Sequence, residues 1–383
     1  MRNAWSLDPA ISFLNHGSFG ACPTEVLEQQ RRLQDRLEAD PVRFFATDLE
    51  GLLDEARLAA AAFIGAPADG FGFVTNATAG VNTALRSAPL GVGDEILVTD
   101  HGYGACLNAA EAIAERRGAA VRVAQIPVPV SGPDAVLEAV LSAATSATRL
   151  AVIDHVTSPT AVVFPIAEIV AALAERGVET IVDGAHAPGM VDLDVGALGA
   201  AAYAGNWHKW VCAPKGAGFL WVSKRWRDRV EPLVVSHGAT AAEADRFRAT
   251  FDWVGTIDPT PYLTVPTAIA VVGGMMSGGW PAVRQRNREM ALGFRSRFHD
   301  AGLASTASEE MAGAMAAVVL PDRLRPGGEP REAARALIRH LSDRGVAVAV
   351  SARHGTDDLT LRVSAHLHTA NDDLDPLLLA LAG

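Results

Sequence analysis

"AGNWHKWVCAPKGAGFLWV", residues 204–222, sets His208 and Lys209 between Trp207 and Trp210 in a stretch that is otherwise almost wholly apolar or glycine-rich. An ammonium there is poorly solvated, which lowers its pKa and suits a Schiff-base lysine. A lysine beside aromatic rings can equally lay its stem along them and keep its amine in water. A second lysine, Lys215, follows six residues on. The two ends of the stretch carry the fold. "AAYAG" (201–205) and "GAGFLWV" (216–222) are short runs apolar on both faces, the pattern of strands covered by helices on two sides.

Five further runs of this kind lie upstream: "FGFVT" (71–75), "EILVT" (95–99), "AVRVAQIPV" (120–128), "RLAVIDHV" (149–156) and "TIVDGA" (180–185). Between them "AGVNTALRSA", "GACLNAAEAIAERRG" and "PIAEIVAALAERG" carry apolar residues at helical spacing, the last two ending at the stop signals Gly118 and Gly177. The alternation predicts an α/β domain around a mainly parallel seven-stranded sheet. After "WVGTIDPTPYLTVPTAIAVVGGMM" the texture changes. A long polar helix around 281–302, then "AGAMAAVVL", "REAARALIRHLSDRG", "VAVAVSA", "LTLRVSA" and a closing helix near 371–382 predict a smaller C-terminal α+β domain. The expected division is an N-terminal arm over 1–22, a large domain over 23–260 and a small domain over 261–383. "RLRPGGEPRE" reads as a loop of the small domain.

Composition narrows the function classes. Hydrophobic residues are 49% of the 383 and charged residues 20%. No apolar run reaches the roughly 18 residues of a membrane span, and the N-terminus has no basic segment leading into an apolar core. The expectation is a soluble, cytoplasmic protein. A net charge of −11, from 33 basic against 44 acidic residues, argues against nucleic-acid or membrane-surface partners. Three cysteines, Cys22, Cys106 and Cys212, form no CxxC pair, so neither a disulfide framework nor a metal site is expected.

Two more stretches carry chemistry. In "TNATAGVNTAL" a strand leads through Asn76, Ala77 and Thr78 straight into a helix, where free N–H groups and a hydroxyl meet at a positive helix end. That is a pocket for a phosphate; a capped helix without a ligand uses the same letters. In "TIVDGAHAPGM" Asp183 ends an apolar strand, where an unpaired carboxylate is costly. Its partner is a protonated heteroaromatic nitrogen, a buried arginine or a helix cap. In chain order the three sites are a phosphate grip, an acid at a strand end and a lysine 26 residues later. Together they are the set that a pyridoxal phosphate enzyme needs.

With "FLNHGSFG", "TNATAGVN", "DHGYGACLNA", "VDGAHAPG", "NWHKWVCAPKGAGFLWV", "WVGTIDPTPYL" and "LRVSAHLHT" spread over nearly the whole chain, the sequence resembles the class V aminotransferase family of fold-type I enzymes. Within it, the sequence resembles the isopenicillin N epimerase-like branch. The resemblance implies the aspartate aminotransferase-like fold of pyridoxal phosphate-dependent transferases, pyridoxal 5′-phosphate as cofactor, an amino-acid substrate, and a homodimer with shared active sites. It implies that Lys209 bonds to the cofactor and shuttles protons at the substrate Cα, that Asp183 pairs with the pyridine nitrogen, that His186 lies near O3′, and that Tyr103 stacks on the ring. Asn76, Ala77 and Thr78 would grip the phosphate with His208 beside them, and Thr256 would reach the partner's phosphate. Arg362 would hold the substrate α-carboxylate, Asn15 and His16 would line the substrate mouth, and Arg43 would meet a distal acidic group. Lys215 is given no covalent role. Epimerisation or racemisation ranks first as the reaction, with C–S lysis or β-elimination and transamination as alternatives; Tyr103 and His186 are the candidates for a second acid/base. Cysteine desulfuration is disfavoured, because those relatives use a cysteine late in the chain and none follows Cys212. The presence of both Lys209 and Asp183 argues against a non-catalytic binding protein.

Overall fold

The seven apolar runs meet in one sheet. In the computed structural model, which describes residues 1–242 and 246–382, its strand order is Phe71–Val74, Gly218–Val222, Ala202–Asn206, Glu179–Gly184, Thr148–Asp154, Glu95–Thr99 and Ala120–Ala124. Only Gly218–Val222 runs antiparallel to its neighbours. The run 120–128 leaves the sheet at Ala124, and Pro127 and Pro129 explain why: neither has an N–H to donate to a ladder. Alternate side chains of the same strands enter opposite cores. Leu97, Ile153, Val182, Tyr203 and Phe219 pack on one face. Ile96, Val98, Val152, Ile181, Ala204 and Leu220 pack on the other.

The helices Ala77–Ser87, Gly104–Arg117 and Ile166–Glu175 follow the expected segments. Gly118 closes the second in the left-handed conformation, at φ +67°. Helices Thr260–Leu263 and Val265–Gly274, read from the sequence as the start of the small domain, bury Tyr262, Leu263, Val265 and Ala268 in the same core as Phe71 and Phe219. The packing changes over at the turn before Gly279–Asp300, whose Ala291, Phe294 and Phe298 lie in a third core with Val318 and Leu361.

That core lies against a four-stranded antiparallel sheet, ordered Ala349–Ala352, Leu359–Ser364, Met315–Val319 and Ala304–Ser305. The run "VAVAVSA", expected as one strand, divides in two. Val346–Ala347 pairs in parallel with Ser12–Phe13 of the N-terminal arm, whereas Ala349–Ala352 joins the sheet. The arm is further fastened when Leu14 accepts from the Ser364 N–H at 2.7 Å. Among the described residues no single helix is long and apolar enough to cross a membrane.

Candidate active site

Strands Thr148–Asp154, Glu179–Gly184 and Ala202–Asn206 end side by side, with Asp154 opposite Asp183 and Asp183 opposite Ala204. Parallel strands open their carboxyl ends to ligands. Here those ends, the turn at 75–78, Tyr103, and Ser18 and Phe19 of the arm enclose a cavity of about 350 Å³.

One corner is built for an anion. Asn76 caps helix Ala77–Ser87, its Oδ1 accepting from the Ala79 N–H at 2.9 Å. The Ala77 N–H is engaged by Asn206 Oδ1 at 2.8 Å, so of the three residues of this turn expected to bind phosphate, Thr78 has its N–H and hydroxyl without partners among the described residues. Gly218 lets its strand pass behind this turn, since a Cβ there would stand 2.6 Å from Asn76 Cα. His208 donates through Nδ1 to the Ala217 carbonyl at 2.9 Å. Burial and the neighbouring Lys209 push it down to about 4, so at neutral pH its free Nε2 presents a lone pair and becomes a donor only by taking up a proton.

The floor is acidic. Asp183 accepts from the Ala185 N–H at 3.0 Å on Oδ1 and from Cys106 Sγ at 3.0 Å on Oδ2. No lysine or arginine forms an ion pair with it among the described residues. Asp154 lies beside it, fully enclosed, and burial together with the Asp183 charge raises its carboxyl well above the usual range. Asp154 and Asn206 were not singled out in the sequence, where they look like ordinary strand-end polar residues.

Lys209 forms the opposite wall. Its Nζ is 3.1 Å from His186 Nε2, and the Trp210 indole N–H donates to His186 Nδ1 at 3.3 Å. Burial and then the Arg362 charge lower the amine to about 8. Burial, followed by the Lys209 and Arg362 charges, keeps His186 well below its usual range, hence neutral. The lysine's own backbone is fixed from behind: its carbonyl accepts from His16 Nε2 at 3.0 Å, and the Trp210 carbonyl accepts from His366 Nε2 at 3.1 Å.

Arg362 reaches in from the small domain. Nη1 donates to the Ser158 carbonyl at 2.6 Å and its hydroxyl at 3.0 Å, and Nη2 to Ser18 Oγ at 3.2 Å and Asn15 Oδ1 at 3.5 Å. Its Nε is buried without a partner, and no carboxylate pairs with it among the described residues. Burial lowers it to about 10, which leaves it charged at neutral pH. A buried guanidinium with no counter-ion is a receptor for a carboxylate.

Three expected positions, and Lys215, lie elsewhere. His16 is not at a substrate mouth: it is fully buried behind Lys209, bonded through Nδ1 to His368 Nε2 at 3.0 Å and stacked on His366. Cys212 Sγ lies close to both rings, but their Nε2 atoms donate to carbonyls and the rings are nearly parallel, 21° apart. No ion can lie in both ring planes. Arg43 has a side chain 71% exposed, near Asp48, and lies outside the cavity. Thr256 and Lys215 are exposed and likewise do not line it.

The aminotransferase class-V family profile matches residues 20–252. The chain belongs to the class-V aminotransferase family. The chain is 36% identical to the isopenicillin N epimerase of Amycolatopsis lactamdurans, over 99% of this chain and 96% of that one. It is 33% identical to a probable chloroplastic L-cysteine desulfhydrase of Arabidopsis thaliana, over 74% of this chain and 63% of the other. Its fold is that of the cystine C–S lyase C-DES, solved with its product cysteine persulfide, at a TM-score of 0.80 and 23% identity over 97% of each chain.

As a member of the class-V aminotransferase family the protein is a pyridoxal 5′-phosphate enzyme, and its residues fit that group. Asp183 has no cationic partner of its own, as a protonated pyridine nitrogen requires. Thr78 offers unpaired donors at a helix N-terminus. Lys209 supplies an amine with its pKa lowered to about 8, open to an aldehyde.

Proposed function

We propose that the protein is an amino-acid epimerase or racemase that makes and breaks the Cα–H bond of its substrate. The observation that carries the reading is the grouping of the Lys209 amine and the Asp183 carboxylate around one cavity, with the uncompensated Arg362 guanidinium bonded to its lining residues Ser158 and Ser18. The 36% identity to an isopenicillin N epimerase over nearly both full lengths directs the choice of reaction.

Pyridoxal phosphate, when bound, withdraws electrons from the substrate Cα and makes its proton removable. The chain's residues do the rest. Arg362 clamps the α-carboxylate and fixes which substituents of Cα face Lys209. Asp183 keeps a proton on the pyridine nitrogen, and Thr78 with the turn around Asn76 and Ala77 anchors the phosphate. Lys209 takes or returns the Cα proton on its own side. Inversion needs a second proton carrier on the other side. His186 is bonded to the Lys209 amine itself, so it shares that side. Tyr103 is left: it lines the cavity, and burial raises its phenol, which therefore holds its proton at neutral pH.

The test is incubation with L-amino acids in D2O, with proton NMR of the products. Deuterium at Cα together with the D-isomer is the expected result. Tyr103→Phe should still exchange Cα–H of one enantiomer while losing inversion. The cysteine desulfhydrase and C–S lyase relatives favour C–S lysis as a second reading; pyruvate or sulfide release without racemisation would select it.

A homodimer is part of the proposal. Its support is an apolar cavity of about 290 Å³ beside the exposed Leu233, Val234, Val235 and Ile257, with Thr256 adjoining. Three buried free thiols are in keeping with the reducing cytoplasm.

A further inference from the structure

We propose that Trp210 is a positioning residue: it fixes His186 as a hydrogen-bond donor through Nε2, and so holds the Lys209 amine as an acceptor. The inference rests on the reading of Lys209 as the amine that takes the cofactor aldehyde.

An indole N–H can only donate. His186 Nδ1, 3.3 Å from Trp210 Nε1, is therefore the unprotonated ring nitrogen. A neutral imidazole then carries its proton on Nε2, which is 3.1 Å from Lys209 Nζ. Only an amine with a free lone pair can receive that N–H. The opposite tautomer would let an ammonium donate to Nε2, but it would set Nδ1–H against the indole N–H, two donors with no acceptor between them.

The indole has little freedom to yield. Trp210 is completely buried, and its carbonyl is held by His366 Nε2 at 3.1 Å. His366 stacks on its ring at a centroid distance of 6.0 Å, and His16 packs against it at 5.4 Å. The other tryptophan of the motif does different work: Trp207 Nε1 is buried without a partner, and its ring packs on Phe219 and Phe63. The remaining groups that act on Lys209 come from other elements: Arg362 disfavours the ammonium, whereas Asp183, Cys106 and Asp154 favour it. His208, its chain neighbour, is neutral. All of them survive a change at Trp210, so the substitution isolates the indole.

The experiment offers pyridoxal 5′-phosphate to the cofactor-free protein between pH 6.5 and 10. The amine lone pair adds to the aldehyde carbon with loss of water, borohydride fixes the adduct as a secondary amine, and peptide mass analysis reads the label on Lys209. In the wild type the capture rate should rise through a midpoint near 8. In Trp210→Phe the midpoint should move up by about one pH unit, with capture at pH 7 about tenfold slower. An unmoved midpoint overturns the inference. A wild type that captures the aldehyde elsewhere overturns the reading of Lys209 instead. A second measurement needs no altered tryptophan. In 15N spectra of histidine-labelled cofactor-free protein at pH 9, with His186 assigned by the signals lost in His186→Gln, Nδ1 should resonate as an unprotonated nitrogen and Nε2 as a protonated one. The reverse pattern overturns the inference.

Discussion

Lys209 and Arg362 are both buried bases, and the same desolvation leads them to opposite states. The ammonium of Lys209 gives up its proton readily, at about 8, whereas the guanidinium of Arg362 remains charged even when lowered to about 10. In the proposed reaction one is thereby a nucleophile, the other an anion receptor. Lys209→Ala should abolish covalent capture of the cofactor and lower turnover by about 10³-fold or more, the loss typical of a missing acid/base, as read by borohydride labelling and steady-state rates. Arg362→Lys keeps the charge but loses the planar fork that holds a carboxylate at two points. Its KM should rise about 10- to 100-fold, equivalent to one charged hydrogen bond of roughly 1.5–3 kcal/mol, while capture of the cofactor by Lys209 persists. Both residues were legible in the sequence because each sits in a short motif with a distinctive neighbourhood. Asp154, Ser158 and Asn206 were not, because their roles depend on partners brought near only by the fold: Asp183 across the ladder, Arg362 from 204 residues on, and the Ala77 N–H 129 residues back. His16 was misplaced for the same reason, since the letters "NHG" do not reveal that the ring turns inward toward His366 and His368.

At the level of elements, the seven strands were readable because a doubly covered strand leaves a continuous apolar run, and the helix ends because glycine marks them. Junctions were less readable. "VAVAVSA" has the composition of one strand and is divided by the arm that pairs with its first half. That arm, the loop after Lys209 and the stretch after Leu359–Ser364 converge on His16, His366 and His368, and the convergence has a measurable consequence. Burial holds His366 at about 4 against an ordinary 6.5, and it keeps His16 and His368 well below theirs. Between these limits the unfolded chain binds protons that the folded chain refuses. The stability from neutral burial is complete above pH 6.5 and is lost as pH falls toward 4. His366 alone accounts for about 3 kcal/mol across that window. The melting temperature should therefore fall steeply from pH 6.5 to 4, and His366→Gln, whatever its effect at pH 7.5, should flatten the slope. An unchanged slope would show that the cluster is not what titrates.

Over the whole molecule, the groups of the candidate site come from three parts that the sequence order keeps apart. The arm contributes Ser18, the large domain Lys209 and Asp183, and the small domain Arg362. The apolar cavity of about 290 Å³ is also lined by Thr75 and Ala79, which flank the anion-binding turn. The outer rim of this cavity exposes Val234 to 52% and Ile257 to 40%. A contiguous apolar rim of this kind is characteristic of an interaction surface. In the proposed homodimer the partner covers that rim, so assembly and phosphate grip become one equilibrium: anything that binds the dimer and not the monomer favours the dimer. Val234→Asp puts a charge where the partner would desolvate it. Sedimentation should then show dissociation at concentrations where the wild type is dimeric, and pyridoxal 5′-phosphate should restore part of the association. Cofactor affinity of the wild type should likewise weaken on dilution through the dissociation range. If Val234→Asp remains fully dimeric, this rim is not the interface. If it dissociates and still binds the cofactor as tightly as the wild type, the sites are independent, and Thr256 has no part in the partner's phosphate grip.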